Sequence, residues 1–142
     1  MQNDETMRPP LAMQDVIRAV ATFHDSFDIR NAPAPEATPC PGTVALRHRL
    51  MAEENEEYLE AARAGDLVEV ADALGDMLYI LCGTILQHGM HEVIEEVFCE
   101  IQRSNLSKLG PDGRPIHRED GKVMKGPQYS PPDLSFVKNF AS

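Results

Sequence analysis

Nine carboxylates and a single base, Arg63, lie between Glu53 and Asp76. Two clusters among them have a spacing that can do chemistry: Glu53-Glu54-Asn55-Glu56-Glu57 and Asp72-Ala73-Leu74-Gly75-Asp76. Grouped carboxylates hold hard divalent cations through oxygen, and they orient or deprotonate water. At about 100° per helical residue, Glu53, Glu54 and Glu57 share the angular sector of Leu46, Leu50 and Ala61. His48, Arg49, Glu60 and Arg63 point the other way. In the following segment Leu67, Val70, Leu74, Leu78, Leu81 and Ile85 make nearly every direction apolar. One narrow stripe interrupts them: Glu69, Asp72 and Asp76, continued by Gly83 and Gln87. Ionised carboxylates on an apolar helix face are costly unless paired or bound to a cation. No base balances them, so a divalent metal is the economical reading. The competing reading is a solvated acidic face, which Glu56 and Glu60 already supply.

The elements that must position these groups follow from punctuation. Residues 1–8 read as a disordered leader, and 9–142 as one domain. Pro9 and Pro10 can open a first helix carrying Met13, Ile17, Val20, Phe23 and Phe27 at helical spacing. A stiff connection with Pro33, Pro35, Pro39 and Pro41 follows. Thr43 is the expected N-cap of a second helix running to Gly65. Asp66 then caps a third helix, and Glu69 three residues later fits a capping box. That helix reaches Gly89, and the Gly65-Asp66 punctuation implies a tight antiparallel pair. A fourth helix is expected from about His91 to Lys108, with Val93, Ile94, Val97, Phe98 and Ile101 inward and Glu92, Glu95, Glu96 and Glu100 solvated. Beyond Gly110, Asp112-Gly113 and Asp120-Gly121 mark turns among prolines. This predicts an irregular arm with a small hairpin, then one or two helical turns around Leu134–Phe140.

Composition narrows the function classes. The 142 residues have no Trp and few aromatics, which suits an all-α domain better than a sandwich. The net charge of −10 is uneven, because Arg103, Lys108, Arg114, Arg118, Lys122 and Lys125 gather near the C-terminus. An acidic body with a basic end argues against nucleic acid or an anionic membrane as partner, and permits a small polyanion. The polar N-terminus lacks the apolar core of a signal peptide. The apolar stretch from Leu67 to Leu86 carries three carboxylates, which excludes it as a membrane span. Cys40, Cys82 and Cys99 are odd in number and unpaired in spacing, with Cys82 and Cys99 on apolar faces, as in a cytoplasmic protein with reduced thiols. The five histidines show no ligand-like spacing.

Taken together, these residues resemble the all-α nucleotide pyrophosphohydrolases of the MazG-like superfamily, which includes phosphoribosyl-ATP pyrophosphohydrolase and dimeric dUTPases. The likeness runs from Thr43 to about Asp133. Glu54-Asn55-Glu56-Glu57 fits the family's ExxE, Asp76-Met77-Leu78-Tyr79 looks like the end of its ExxD, and the stretch from Arg103 to Tyr129 resembles the tail of small bacterial members. The resemblance implies a four-helix bundle with an irregular C-terminal arm, and Mg²⁺ (or Mn²⁺) held by Glu54, Glu57, Asp72 and Asp76. It also implies hydrolysis of a nucleoside triphosphate between the α- and β-phosphates, in a homodimer or dimer of dimers.

One departure concerns the fourth ligand. Ala73 stands where the family commonly has Glu. Asp72 shares a face with Asp76 and can replace it, while Glu69-Val70-Ala71-Asp72 is a literal ExxD one turn earlier. The capping box gives Glu69 another job, which ranks Asp72 first.

Glu53, one turn from Glu57, is the candidate for orienting or deprotonating the attacking water. Lys108, Lys122 and Lys125 are candidates for the outer phosphates, with Asn105 and Tyr129 as neutral hydrogen-bonding partners. A house-cleaning (d)NTPase is the expected role, and nothing in the residues selects phosphoribosyl-ATP. A di-iron bundle would need Glu-x-x-His pairs, which the chain lacks. A non-catalytic helical interaction module remains as the alternative, though it leaves the acids on the apolar stripe unexplained.

Overall fold

The computed structural model describes residues 11–141, so the leader expected over 1–8 and the Pro9-Pro10 helix start lie outside the described residues. The chain divides into two compact units, one ending at His91 and the other starting at Glu92. The protein is all-α: four α-helices and one 3₁₀-helix, with no strand among the described residues.

In the first unit, α1 (Met13–Ser26) buries Ile17, Val20 and His24. Phe27, expected inward, is largely exposed, Phe23 is partly exposed with its ring edge-on to Tyr79, and a histidine takes the fully buried position. Burial of a polar ring requires a partner, and His24 Nδ1 has one in Asn31 Oδ1 at 2.6 Å.

α2 (Pro41–Ala64) starts two residues before the expected Thr43 cap. Cys40 occupies the cap position, and Pro41 opens the helix, where its missing N–H costs nothing. The helix stops at Gly65, whose φ of 67° is cheap only for glycine.

α3 (Leu67–Gln87) begins with Asp66 Oδ1 accepting from the Glu69 N–H at 3.1 Å. It packs against both α2 and α1. The proline-rich connection returns along its end: the Ala32 N–H donates to the Leu86 carbonyl and the Glu36 N–H to that of His88. Gly89, at φ 66°, lets this connection pass, because a Cβ there would lie 2.1 Å from the Ala34 carbonyl oxygen.

The buried seam of α2 runs through Arg47, Glu54 and Ala61, with Leu50 and Met51 half-buried between them. Leu46 and Glu53, placed in this sector by a 100° step, are exposed. α3 turns Ala73, Gly83 and Gln87 inward, so its small and polar stripe is buried toward the C-terminal end. Leu67, Val68, Leu74, Leu78 and Leu81 are left exposed.

In the second unit, α4 (Ile94–Leu106) is shorter than expected. Val93 is buried before it, and Ile94 and Val97 are half-buried, but Phe98 and Ile101 are exposed, contrary to the helical pattern. Cys99 is also exposed, where the apolar pattern placed it inward. The arm forms the expected hairpin, bridged antiparallel at His117 and Val123, with Gly113 and Gly121 at positive φ. The chain then returns along α4. Ser104 Oγ donates to the Ser130 carbonyl at 2.9 Å, and Arg103 Nη2 donates to that of Pro131 at 3.2 Å. A 3₁₀-helix over Ser135–Phe140 follows, as the C-terminal pattern predicts.

Candidate active site

The α2–α3 pair brings together the carboxylates that the sequence singles out. Glu54 sits on the buried seam of α2, with one carboxylate oxygen, Oε2, fully buried and without a hydrogen-bond partner. Its carboxyl is pushed above the ordinary value, first by loss of hydration, then by the negative charges of Glu57 and Asp76, then by side-chain contact with the Glu57 carboxyl, and last by the charge of Asp72. Charges from both helices therefore act on Glu54. Among the described residues, none of the four is ion-paired with a base.

Only Glu54 is withdrawn from water. Glu57, Asp72 and Asp76 are exposed, which corrects the expectation that α3 is too apolar to leave its acids at the surface. The physical reason lies in the helix itself: α3 leaves much of its leucine-rich face uncovered, so acids beside that face remain hydrated. Among the described residues, no three Asp, Glu, His or Cys side chains converge tightly enough to ligate a single ion in the present rotamers.

An open cleft of about 390 Å³ lies beside the cluster, at the α2–α3 turn. Its walls carry Glu57, Glu60, Asp66, Glu69 and Asp72 on a floor of Ala61, Ala64 and Ala73. Small residues at these positions leave room between the helices. Glu69, the alternative fourth ligand, faces the same cleft as Asp72 and Glu57. It does not close the expected capping box, because the Asp66 N–H donates to the Ala61 carbonyl instead.

The residue types fit a hard divalent cation. A buried carboxylate oxygen lacking any donor is an uncompensated cost, and oxygen-only ligands at a partly open site match the preferences of Mg²⁺ or Mn²⁺. Glu53 lies outside this group, exposed on the flank of α2.

The phosphate-binding candidates all belong to the second unit. Lys108 Nζ donates to Asn105 Oδ1 at 2.9 Å. Lys125 places its ammonium 4.7 Å from the centre of the Tyr129 ring, a cation–π contact. Lys122 sits in the hairpin, its backbone N–H donating to Asp120 Oδ1. Two pairs of the five candidates thus touch each other.

Sequence reasoning passed over three buried polar residues: His24, Arg47 and Ser104. For Arg47 a signal existed. Arg47, Glu54 and Ala61 recur every seven residues, which places all three on one seam of a packed helix.

A family model described as phosphoribosyl-ATP pyrophosphohydrolase matches residues 20–105, more than half of the chain. No curated protein matches it. The chain belongs to the phosphoribosyl-ATP pyrophosphohydrolase family, within the MazG-like all-α superfamily.

Proposed function

We propose that this member of the phosphoribosyl-ATP pyrophosphohydrolase family is a Mg²⁺-dependent nucleoside triphosphate pyrophosphohydrolase, cleaving between the α- and β-phosphates. The observation that carries the reading is Glu54: a carboxylate with a buried, partnerless oxygen, facing Glu57, Asp72 and Asp76. Four acids held together without a base are unfavourable alone and favourable around a cation.

Glu54, Glu57, Asp72 and Asp76 would hold the ion. Bound there, it would neutralise phosphate oxygens and make a water more acidic. Glu53 stays hydrated on the flank of α2, able to orient that water or take its proton. Lys108, Lys122 and Lys125 would bind the outer phosphates, and charge moving onto departing pyrophosphate would strengthen those contacts in the transition state. Asn105 and Tyr129 hold two of these lysines in place.

The exposed leucines of α3 support a homodimer or dimer of dimers. A face with Leu67, Val68, Leu74, Leu78 and Leu81 open to water exceeds the scattered apolar exposure of an ordinary monomer.

Phosphorus NMR of the purified chain with Mg²⁺ and a panel of nucleotides tests the proposal. Monophosphate and intact pyrophosphate are expected as first products. Orthophosphate released first, or turnover unaffected by a chelator, would refute it. Phosphoribosyl-ATP belongs in the panel, because the matching family bears that substrate's name; its preferential hydrolysis would select that reading over a house-cleaning role.

A further inference from the structure

Arg47 is 7 % exposed and has no carboxylate partner among the described residues. Its guanidinium crosses from α2 to α3. Nε donates to Thr84 Oγ1 at 3.1 Å, and Nη2 donates to the carbonyl of Ile80 at 2.9 Å. Thr84 Oγ1 in turn donates to that same carbonyl at 2.8 Å. Gly83 supplies the room: a Cβ there would come within 2.6 Å of Nη2 and 3.0 Å of His24 Nε2. Side chains from α1 and α2 therefore meet over one glycine of α3.

Few side chains of the α2–α3 seam are fully buried. Apart from Arg47, the only fully buried residue of α2 is Ala61. Its larger apolar groups Leu46, Tyr58 and Leu59 are partly in water. The pair is fastened at one end by the Gly65-Asp66 turn and at the other by Arg47. Between these fastenings stand Glu54, Glu57, Asp72 and Asp76, with the charges of the other three pushing the Glu54 carboxyl above its ordinary value.

We propose that Arg47 is a positioning residue, bolting α2 to α3 in the register that sets Glu54 opposite Asp72 and Asp76. The inference rests on the cation-site reading above for its consequence, but not for its geometry. Replacing the guanidinium by an apolar side chain removes its desolvation cost together with its two hydrogen bonds, and the two largely offset each other in stability. The signature of positioning is therefore lost ion affinity without lost stability.

The test uses the full chain and Mn²⁺ alone, followed by the electron paramagnetic resonance of the free ion. Arg47→Met is expected to weaken Mn²⁺ binding tenfold or more while the melting temperature holds. Arg47→Lys, which keeps one charge-assisted contact, should recover part of that affinity. Nitroxide labels at Glu56→Cys and Ala71→Cys, with Cys40 and Cys99 replaced by serine, report the α2–α3 distance directly, and Arg47→Met should shift or broaden it. Should Arg47→Met fail to fold, Thr84→Val replaces it, keeping the charge but removing the Nε acceptor, with a loss of about threefold expected. Wild-type Mn²⁺ affinity in the variant, or lost affinity at an unchanged label distance, overturns the proposal. If the wild-type chain itself binds no Mn²⁺, the cation-site reading fails, and the label distance alone decides whether Arg47 sets the register.

Discussion

The backbone N–H of Asp66 donates to the carbonyl of Ala61 at 3.1 Å, not to the side chain of Glu69. The turn between α2 and α3 is thus closed by a backbone bond, while Asp66 Oδ1 caps α3 through the Glu69 N–H. Only half of a capping box forms, and the carboxylate of Glu69 is free to face the acidic cleft.

Cap strength and ion binding therefore separate at this turn. Asp66→Ala should lower stability by about 1 kcal/mol, the usual worth of an N-cap side chain. Glu69→Gln should leave the melting temperature nearly unchanged. Asp72→Asn should sharply weaken Mg²⁺ binding by calorimetry. If Glu69→Gln does so instead, the ligand set moves one turn toward the start of α3.

Glu54→Gln removes a charge at almost constant volume. Because burial and neighbouring acids hold the Glu54 carboxyl above its ordinary value, its ionised form opposes folding when no ion is bound. The group's stabilising contribution is present below its ordinary value and is lost as pH rises through the raised one. At neutral pH and without metal, Glu54→Gln should melt higher than wild type, yet lose Mg²⁺-dependent turnover. Calorimetric melts with and without Mg²⁺ read both effects.

Glu100 behaves in the opposite sense. Hydrogen bonds from Arg103, at 2.8 and 3.0 Å, and then from the Asp133 backbone hold its carboxyl down to about 2. The stabilisation is present above the unfolded value of 4.5 and disappears as pH falls from there toward 2. The protection of the Asp133 amide from exchange, relative to its intrinsic rate, should fall across that window. Glu100→Gln should show the reduced protection already at neutral pH.

Gly89→Ala tests the seating of the proline-rich connection. The new Cβ would meet the Ala34 backbone at 2.1 Å from a positive-φ position, and neither side can yield cheaply. A loss of about 3 kcal/mol is expected in denaturant unfolding. Gly113→Ala, also at positive φ but with open space around its Cβ, should cost only about 1 kcal/mol.

Local chemistry determined much of this protein. The stop at Gly65, the cap at Asp66, the Asp112-Gly113 and Asp120-Gly121 turns and the final helical turns were all legible, because each depends on a residue and its immediate neighbours. Membership of the pyrophosphohydrolase family was legible too, from the ordered acidic segments. Periodicity brought Glu54 to the seam of α2, since a 100° step puts it in the sector of Leu50 and Ala61. Tertiary structure alone decided how much of each face is covered. A 100° step cannot distinguish Glu53 from Glu54, and it put Phe98 and Ile101 inward although the fold leaves them in water. It also could not show that Asp72 and Asp76 stay hydrated beside bare leucines, because exposure depends on neighbours distant in sequence. The capping box likewise failed on a competition: the Ala61 carbonyl, brought round by the turn, took the Asp66 N–H that Glu69 needed. Arg47 is the fullest case. Its seven-residue spacing from Glu54 and Ala61 marks a face of α2, but not what covers that face. Its place follows from Gly83, Thr84 and the Ile80 carbonyl on another helix, which only the packing of α2 on α3 brings within reach.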